Sequence, residues 1–209
     1  MLLSLPRFST ALAVILMLAG ATAQATTVTL STTLPTTAVA NPIASGTIGA
    51  AVLAQNVTGT IVNDRRSPWD ATNSTLNPTA ATSLYSAIRS SKKFTLASAI
   101  FDFTTAQKEL SFVWGTPGAQ NKIEFFLNGV SQFVLFGGGA QTLSAGGSNS
   151  IFTTIADLSF DRVVLSADHR ALEFANLRTV AIIPLPAGGL LLIGAIGGLA
   201  ALRRRRSAA

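Results

Sequence analysis

The chain has 209 residues, of which 48% are hydrophobic and only 11% are charged. Arg7 and the four C-terminal arginines account for the basic excess, because without them ten basic residues remain against nine acidic ones. The pI of about 10.8 therefore does not predict nucleic-acid binding, which needs a basic patch on the folded domain. The absence of cysteine excludes a disulfide framework, a thiolate zinc site and a cysteine nucleophile.

The N-terminus has the pattern of a secretory signal peptide. Arg7 supplies a positive start, residues 11–19 form an apolar run, and Ala23-Gln24-Ala25 matches the small-residue pattern of a cleavage site. We expect cleavage after Ala25, so residues 1–25 are predicted to be the signal peptide. An uncleaved membrane helix is the alternative, although the apolar run is short for a bilayer span.

The segment after the signal peptide predicts strands. Val28 and Leu30 alternate with threonines, which is typical of a half-buried strand. Residues 47–52 and 57–62 follow the same pattern and are separated by turn-forming residues.

The next part of the chain predicts a loop and a short helix. Residues 63–78 contain prolines and asparagines that favour turns, so we expect a loop there. Residues 79–89 fit a helix, because Thr79 can cap it and Leu84 and Ile88 lie four residues apart on one face.

From Lys93 onward the alternation of apolar residues becomes regular and predicts strands at 94–103, 110–114, 123–127, 130–136, 151–158, 160–165 and 171–177. Asn128-Gly129 lies between two of these strands and predicts a type I′ hairpin turn, which needs positive φ at both residues. The glycines at 137–139 and 146–147 predict a flexible loop. Short strands at this spacing predict one all-β domain over residues 26–183, built as a single antiparallel β-sandwich.

The second half of the chain also resembles a known family. The pattern consists of Phe112-Val113-Trp114-Gly115-Thr116-Pro117, Asn121, Ile123, Phe125, Asn128-Gly129, Phe160-Asp161-Arg162-Val163 and Glu173-Phe174-Ala175-Asn176-Leu177. It resembles exosortase-dependent bacterial surface proteins with a jelly-roll-like domain. The resemblance covers residues 101–177 and implies an envelope or matrix role without a settled activity.

The C-terminal segment 184–206 combines a proline motif, an apolar helix and a basic cluster. Residues 185–202 carry no charge, and a helix of 18 residues rises about 27 Å, close to the roughly 30 Å hydrocarbon core of a bilayer. The arginines that follow are expected to remain on the cytoplasmic side. The motif is Pro184, Leu185, Pro186 and Ala187, and the basic cluster is Arg203, Arg204, Arg205 and Arg206.

These three features, in this order, resemble the PEP-CTERM class of sorting domain. The motif is closest to the subclass that reads Val-Pro-Leu-Pro-Ala, with Ile183 in the first place. The resemblance implies that an exosortase, a membrane protease-transpeptidase, processes the tail near the proline motif. It also implies an inner-membrane anchor in contact with lipid, a domain on the periplasmic side, and a cell-surface or extracellular product after processing. An ordinary single-pass anchor is the alternative.

Ligand-binding candidates are few in this sequence. Oxygen ligands near predicted strand ends would suit a structural calcium ion, and the candidates are Asp157, Asp161, Asp168 and Asn176. No other cofactor is expected. Trp69, between a proline and an aspartate in the predicted loop, is the candidate stacking platform for a sugar, although loop tryptophans also cover cores.

Catalytic signatures are weaker still. His169 is the single histidine, and no Gly-x-Ser-x-Gly nucleophile motif is present. A glycosidase needs two carboxylates facing one cleft, and no spacing singles out a pair among Asp102, Glu109 and Glu124. We therefore expect a non-enzymatic surface or matrix protein. An exopolysaccharide-binding module is the alternative, and a glycoside hydrolase is a weaker one.

Overall fold

The computed structural model describes residues 25–49, 52–61, 65–69, 83–89, 96–143, 150–168 and 171–183, with Ala195, Ile196 and Arg203 in helical conformation. The strands within these ranges are β1 (Thr27–Ser31), β2 (Gly46–Ile48), β3 (Val52–Val57), β4 (Tyr85–Arg89), β5 (Leu96–Gly115), β6 (Asn121–Leu127), β7 (Val130–Phe136), β8 (Ile151–Asp168) and β9 (Leu172–Ala181). One short helix, α1 (Gly137–Leu143), follows β7.

All described strand pairs are antiparallel, which confirms the all-β antiparallel prediction. Hydrogen bonds connect the strands into one sheet with the order β3-β4-β9-β5-β8-β6-β7. β1 adds to β8 and β2 adds to β5 beside this path. The two longest strands, β5 and β8, therefore organise the sheet.

β5 and β8 are too long to run straight through a body of this size. Twenty strand residues would extend about 65 Å, whereas a domain of this length has a radius of gyration of roughly 15 Å. The pairing of β5 with β8 is interrupted between Asp102 and Glu109, and Asp157 on β8 has φ 61°. β-Bulges bend strands and increase their twist. We call this region of both strands the bend.

The bend divides the strand pair into two arms with different neighbours. In the first arm, residues 96–102 pair with 162–168, and β2 and the β6–β7 hairpin flank them. In the second arm, residues 109–114 pair with 151–156, between β9 and β1. Phe101 of the first arm meets Phe174 on β9 edge to face, with ring centroids 5.9 Å apart. Both rings belong to the larger apolar cluster of buried residues, which we call the main core. Side chains of both arms therefore pack in the main core.

Successive side chains of the second arm point to opposite faces of the sheet, and the two faces pack in different apolar clusters. Phe112 and Trp114 point into the main core, whereas Val113 points to the opposite face. There it packs in a second group, the outer cluster, whose buried members are Trp69, Tyr85, Ala87, Val113 and Ala175. Leu34 and Ala38 pack against this cluster, so the segment 34–41 lies over the outer face of the sheet, and we call it the strap.

The hairpin prediction is confirmed by the backbone. Asn128 has φ 52° and Gly129 has φ 78°, as a type I′ turn requires. β6 and β7 pair from Lys122 opposite Phe136 to Leu127 opposite Val130. The Asn128 N–H also donates to Oδ2 of Asp161, which ties the turn to the bend of β8.

Several strand boundaries and two element types differ from the sequence predictions. The strands predicted at 94–103 and 110–114 are one strand, and so are those at 151–158 and 160–165, because each bulge interrupts the alternation without ending the pairing. The strands predicted at 47–52 and 57–62 have the wrong bounds, because the structure has β2 at Gly46–Ile48 and β3 at Val52–Val57, which shares only Val57 with the second prediction. The helix predicted over 79–89 is wrong at its C-terminal half, since Tyr85–Arg89 is β4. The glycines at 137–139 open α1 rather than a loop.

Candidate functional site

The Trp-Gly and Glu-Phe pairs of the family-like pattern meet across two strands. Trp114 lies opposite Phe174, and Gly115 lies opposite Glu173, where β5 pairs with β9. A Cβ atom on Gly115 would come within 2.9 Å of Glu173 Cβ and 3.2 Å of Pro68 Cγ. Glycine is therefore required there for Glu173 and the loop 65–69 to approach the strand.

The Glu173 carboxylate is buried at this junction, with 4% of the residue exposed. Oε1 accepts a hydrogen bond of 3.2 Å from the Arg66 backbone N–H, and Oε2 accepts one of 3.0 Å from the Thr116 hydroxyl. Burial raises the pKa of Glu173 above its ordinary value, while these two hydrogen bonds and the charge of Arg66 act in the opposite direction. The carboxylate thus joins the loop 65–69 to the ends of β5 and β9.

A second polar centre lies at Asn41, at the end of the strap. Its side-chain amide donates to Ser86 Oγ at 3.0 Å and to the Phe174 carbonyl at 3.2 Å, and its Oδ1 accepts from the Leu177 N–H at 3.0 Å. Asn56 adds a reciprocal pair of hydrogen bonds with the Asn41 backbone. One buried side chain therefore fastens the strap to β4 and β9.

Asn176 fastens the middle of the strap in a similar way. It lies in the bulge of β9 with φ 53°, and its Oδ1 accepts from the Val39 N–H at 2.6 Å. Its Nδ2 donates to the Thr37 carbonyl at 2.8 Å. The amide predicted as a calcium ligand thus has both ends committed to the backbone of the strap.

The other predicted calcium ligands are held to different elements. Asp157 accepts from the Thr27 hydroxyl at the start of β1, and Asp161 accepts from the hairpin turn. Asp168 lies opposite Leu96 at the far end of β8. The described residues contain no group of three or more histidine or acidic side chains that could hold a metal ion. Calcium binding by any of these four residues stays a prediction.

Trp69 also differs from its predicted position. Only 2% of the residue is exposed, and its Nε1–H donates to the Pro35 carbonyl at 3.3 Å. The prediction of an exposed stacking face is wrong, because the ring packs in the outer cluster under the strap. The alternative interpretation, that a loop tryptophan covers a core, describes its position.

Two carboxylates considered for a hydrolase are engaged by basic residues. Arg162 Nε lies 2.6 Å from Asp102 Oδ1, and this hydrogen bond is the main cause that lowers the pKa of Asp102. Lys122 Nζ lies 2.8 Å from Glu124 Oε2 and likewise lowers the pKa of Glu124. Asp102 and Glu124 belong to β5 and β6, which lie on opposite sides of β8.

The two terminal signals fall largely outside the described residues. Ala23, His169, the motif at 184–187 and Arg204–Arg206 are not described, and Arg203 is described as helical. Ala25 is described and lies two residues before the start of β1 at Thr27. Within the ranges that the structure describes, no helix combines the length and apolarity needed to cross a bilayer.

Comparison of the chain with protein-family models, curated proteins and solved structures gave no match in any of the three. A function for this chain is therefore inferred from its residues and their geometry.

Sequence reasoning missed the polar residues that fasten the strap. Asn41 contacts Leu177 across 136 positions and Asn176 contacts Thr37 across 139, and no local pattern reports such pairs. Glu173 and Thr116 both belong to the family-like pattern, but the pattern did not predict the hydrogen bond between them. The sequence did contain one signal for this contact. Trp114-Gly115 at the end of one apolar strand and Glu173-Phe174 at the start of another are the pairs that lie opposite each other in the sheet.

Proposed function

We propose that this chain is an exported cell-envelope or extracellular-matrix protein that acts through binding and display rather than catalysis. In this proposal a signal peptide is removed after Ala25, and an exosortase-type enzyme processes the tail at Pro184-Leu185-Pro186-Ala187. The body between the two signals is then presented at the cell surface or outside the cell.

We further infer that the two arms pack face to face as a jelly-roll-like β-sandwich. The contact between Phe101 and Phe174 supports this, because these residues belong to different arms and share the main core. Bulged strands that pass from one layer to the other form the corners of such packings.

One observation carries the sorting proposal furthest. β9 remains in the sheet to Ala181, and the Ile182 N–H still donates to the Ala106 carbonyl at 2.8 Å. Ile183 is then 85% exposed, immediately before Pro184. The described chain therefore leaves the sheet and reaches solvent directly before the proline motif, which supports processing at that motif.

The polar chemistry of the body supports a structural role for its buried groups. Glu173 binds the backbone of the loop 65–69, Asn176 binds the backbone of the strap, and Asn41 of the strap binds the backbone of β9. These contacts explain why the side chains are retained inside. Sugar binding would need a surface other than the buried Trp69. Exopolysaccharide is therefore not proposed as a ligand, and binding to it can be tested directly.

Fractionation tests the sorting proposal. We expect the wild type to lose its tail and leave the inner membrane in a bacterial host that encodes an exosortase-type enzyme. Pro184→Ala combined with Pro186→Ala should leave the longer, tail-bearing form in the inner membrane. The exposed Pro42→Ala variant is the matched control and should behave as the wild type. Unchanged size and location in the double variant would contradict the proposal.

A further inference from the structure

The start of β1 and the end of β9 both lie beside the bend. Thr27 lies opposite Ala156, Ala156 lies opposite Glu109, and Glu109 lies opposite Val180, so these four residues form one row across β1, β8, β5 and β9. Neighbouring strands are about 4.8 Å apart, so the row spans roughly 14 Å. The chain enters β1 and leaves β9 within that distance, at the same end of the molecule.

The predicted membrane segment begins very close to this end. Ile182 is the last residue with a described hydrogen bond to the sheet, and the apolar tail begins at Leu185. Three residues extend at most about 11 Å. If the tail spans the bilayer, as the proposed function requires, the bend is held within that distance of the lipid surface.

The side chains at the bend suit an apolar contact more than an ionic one. Val180 is 41% exposed, Ile182 is 36% exposed and Ile183 is 85% exposed. The charged side chains at this end are of both signs, and Arg162 is paired with Asp102. The others are Lys108, Glu109, Asp157 and Asp161. Exposed aliphatic residues next to a membrane segment lower their free energy by entering the interface.

We propose that the end of the body formed by the bend rests on a phospholipid bilayer surface while the tail is attached. Val180, Ile182 and Ile183 enter the interface, and the opposite end, where the Asp168 N–H donates to the Gln120 carbonyl, points away from the membrane. This inference rests on the proposed function, since the tail sets the distance. Processing at the proline motif would then release both the anchor and this contact.

Site-specific labelling of the full chain tests the orientation. The chain has no cysteine, so Thr104→Cys at the bend and Gln120→Cys at the opposite end each provide one thiol for a fluorophore. Both positions are exposed, and they are separated by about 20 Å along the first arm. In vesicles of phosphatidylethanolamine and phosphatidylglycerol with a headgroup nitroxide lipid, we expect the Thr104→Cys label to be quenched several-fold more than the Gln120→Cys label.

Matched pairs of substitutions separate lipid contact from simple proximity. Val180→Ser with Ile182→Ser should reduce quenching at the bend. Leu96→Ser with Ile48→Ser changes two exposed aliphatic residues toward the other end and should leave it unchanged. Vesicle flotation reports the anchor separately. Co-flotation with equal quenching at both labels overturns this inference alone, whereas failure to co-float overturns the inference together with the membrane step of the proposed function.

Discussion

The β6–β7 hairpin and the strap are both connections that fix the sheet, but different chemistry holds them. The hairpin depends on two adjacent residues, Asn128 and Gly129, whose positive φ values turn the chain back on itself. The strap depends on two side-chain amides, since Asn41 of the strap binds β9 and Asn176 of β9 binds the strap, each across more than a hundred residues. The turn fixes only the hairpin that contains it, whereas the amides connect the strap near the start of the domain to β9 near its end.

This difference has an energetic consequence. A turn residue with an unsuitable conformation costs about 1–2 kcal/mol of backbone strain, but its neighbours keep their hydrogen bonds. A buried amide that is removed leaves several backbone groups without partners, and each costs about 1–3 kcal/mol. Substitutions under the strap should therefore destabilise the protein more than substitutions in the hairpin.

Asn41→Ala should have the largest effect. It removes three hydrogen bonds from a residue that is 4% exposed and leaves the Leu177 N–H and the Phe174 carbonyl without this partner. We expect a loss of about 3 kcal/mol and a Tm lower by roughly 10 °C in thermal unfolding. The exposed Gln120→Ala variant removes an amide at the surface and should change Tm little. Equal Tm values for both variants would contradict the proposed importance of the strap.

Asn176→Ala should follow, with a loss of about 2 kcal/mol. The substitution removes the hydrogen bonds to Val39 and Thr37 and places alanine at φ 53°. Asn176→Gly removes the same hydrogen bonds but tolerates the positive φ, so its stability in denaturant unfolding should lie between the wild type and Asn176→Ala. If glycine were as destabilising as alanine, backbone strain would contribute nothing at this bulge.

The parts of the fold that sequence reasoning predicted are those that local patterns control. Alternation and the Asn-Gly pair predicted β6, the turn and β7, because a type I′ turn depends only on its own residues. β4 was mistaken for helix because Leu84 and Ile88 have helical spacing. Its conformation depends on pairing with β3 and β9, which no local pattern reports.

The positions of the predicted ligand-binding residues also depend on distant strands, which local sequence does not report. The sequence offered Asp157, Asp161, Asp168 and Asn176 as calcium ligands because each lies near a predicted strand end in the last third of the chain. The sheet separates them, because the 18 residues of β8 carry Asp157 and Asp168 to different ends. Trp69 lies in a polar stretch that predicts exposure, yet the strap covers it through contacts with residues far earlier in the chain. Burial by a distant segment cannot be predicted from the local sequence.

Gly129→Ala tests the hairpin side of the comparison. No atom lies within 4 Å of the position where its Cβ would be, so the cost arises from φ 78° alone and should be about 1 kcal/mol. Gly139→Ala is the matched control, because its added Cβ also meets open space but its φ lies outside the positive range. In α1 the alanine should be neutral or stabilising by up to about 1 kcal/mol. A larger loss from Gly129→Ala than from Asn41→Ala in chemical unfolding would reverse the comparison.

Glu173→Gln should have the smallest effect at low pH and a growing effect as the pH rises. Below the ordinary glutamate value of 4.5 the acid is neutral in both states. Glutamine resembles this neutral acid, because its oxygen accepts from the Arg66 N–H and its Nε2 donates to the Thr116 hydroxyl, which then acts as the acceptor. Because burial raises the pKa of Glu173 in the folded state, its stabilising contribution is complete below the unfolded value and is lost as the pH rises through the folded one. The variant keeps this contribution at every pH.

The measurement is the difference in unfolding free energy between Glu173→Gln and the wild type, followed from acid to neutral pH. We expect it to shift in favour of the variant across the window that begins near pH 4.5 and ends above the raised pKa of Glu173. Glu109→Gln provides a matched control at a half-exposed carboxylate that is not enclosed by the loop 65–69. A difference that is flat with pH would mean that the hydrogen bonds from Thr116 and Arg66 cancel the effect of burial, and a difference that shifts in favour of the wild type would mean that they outweigh it. The loop would then be held by an ionised carboxylate, and its attachment to the sheet would weaken in acid rather than strengthen.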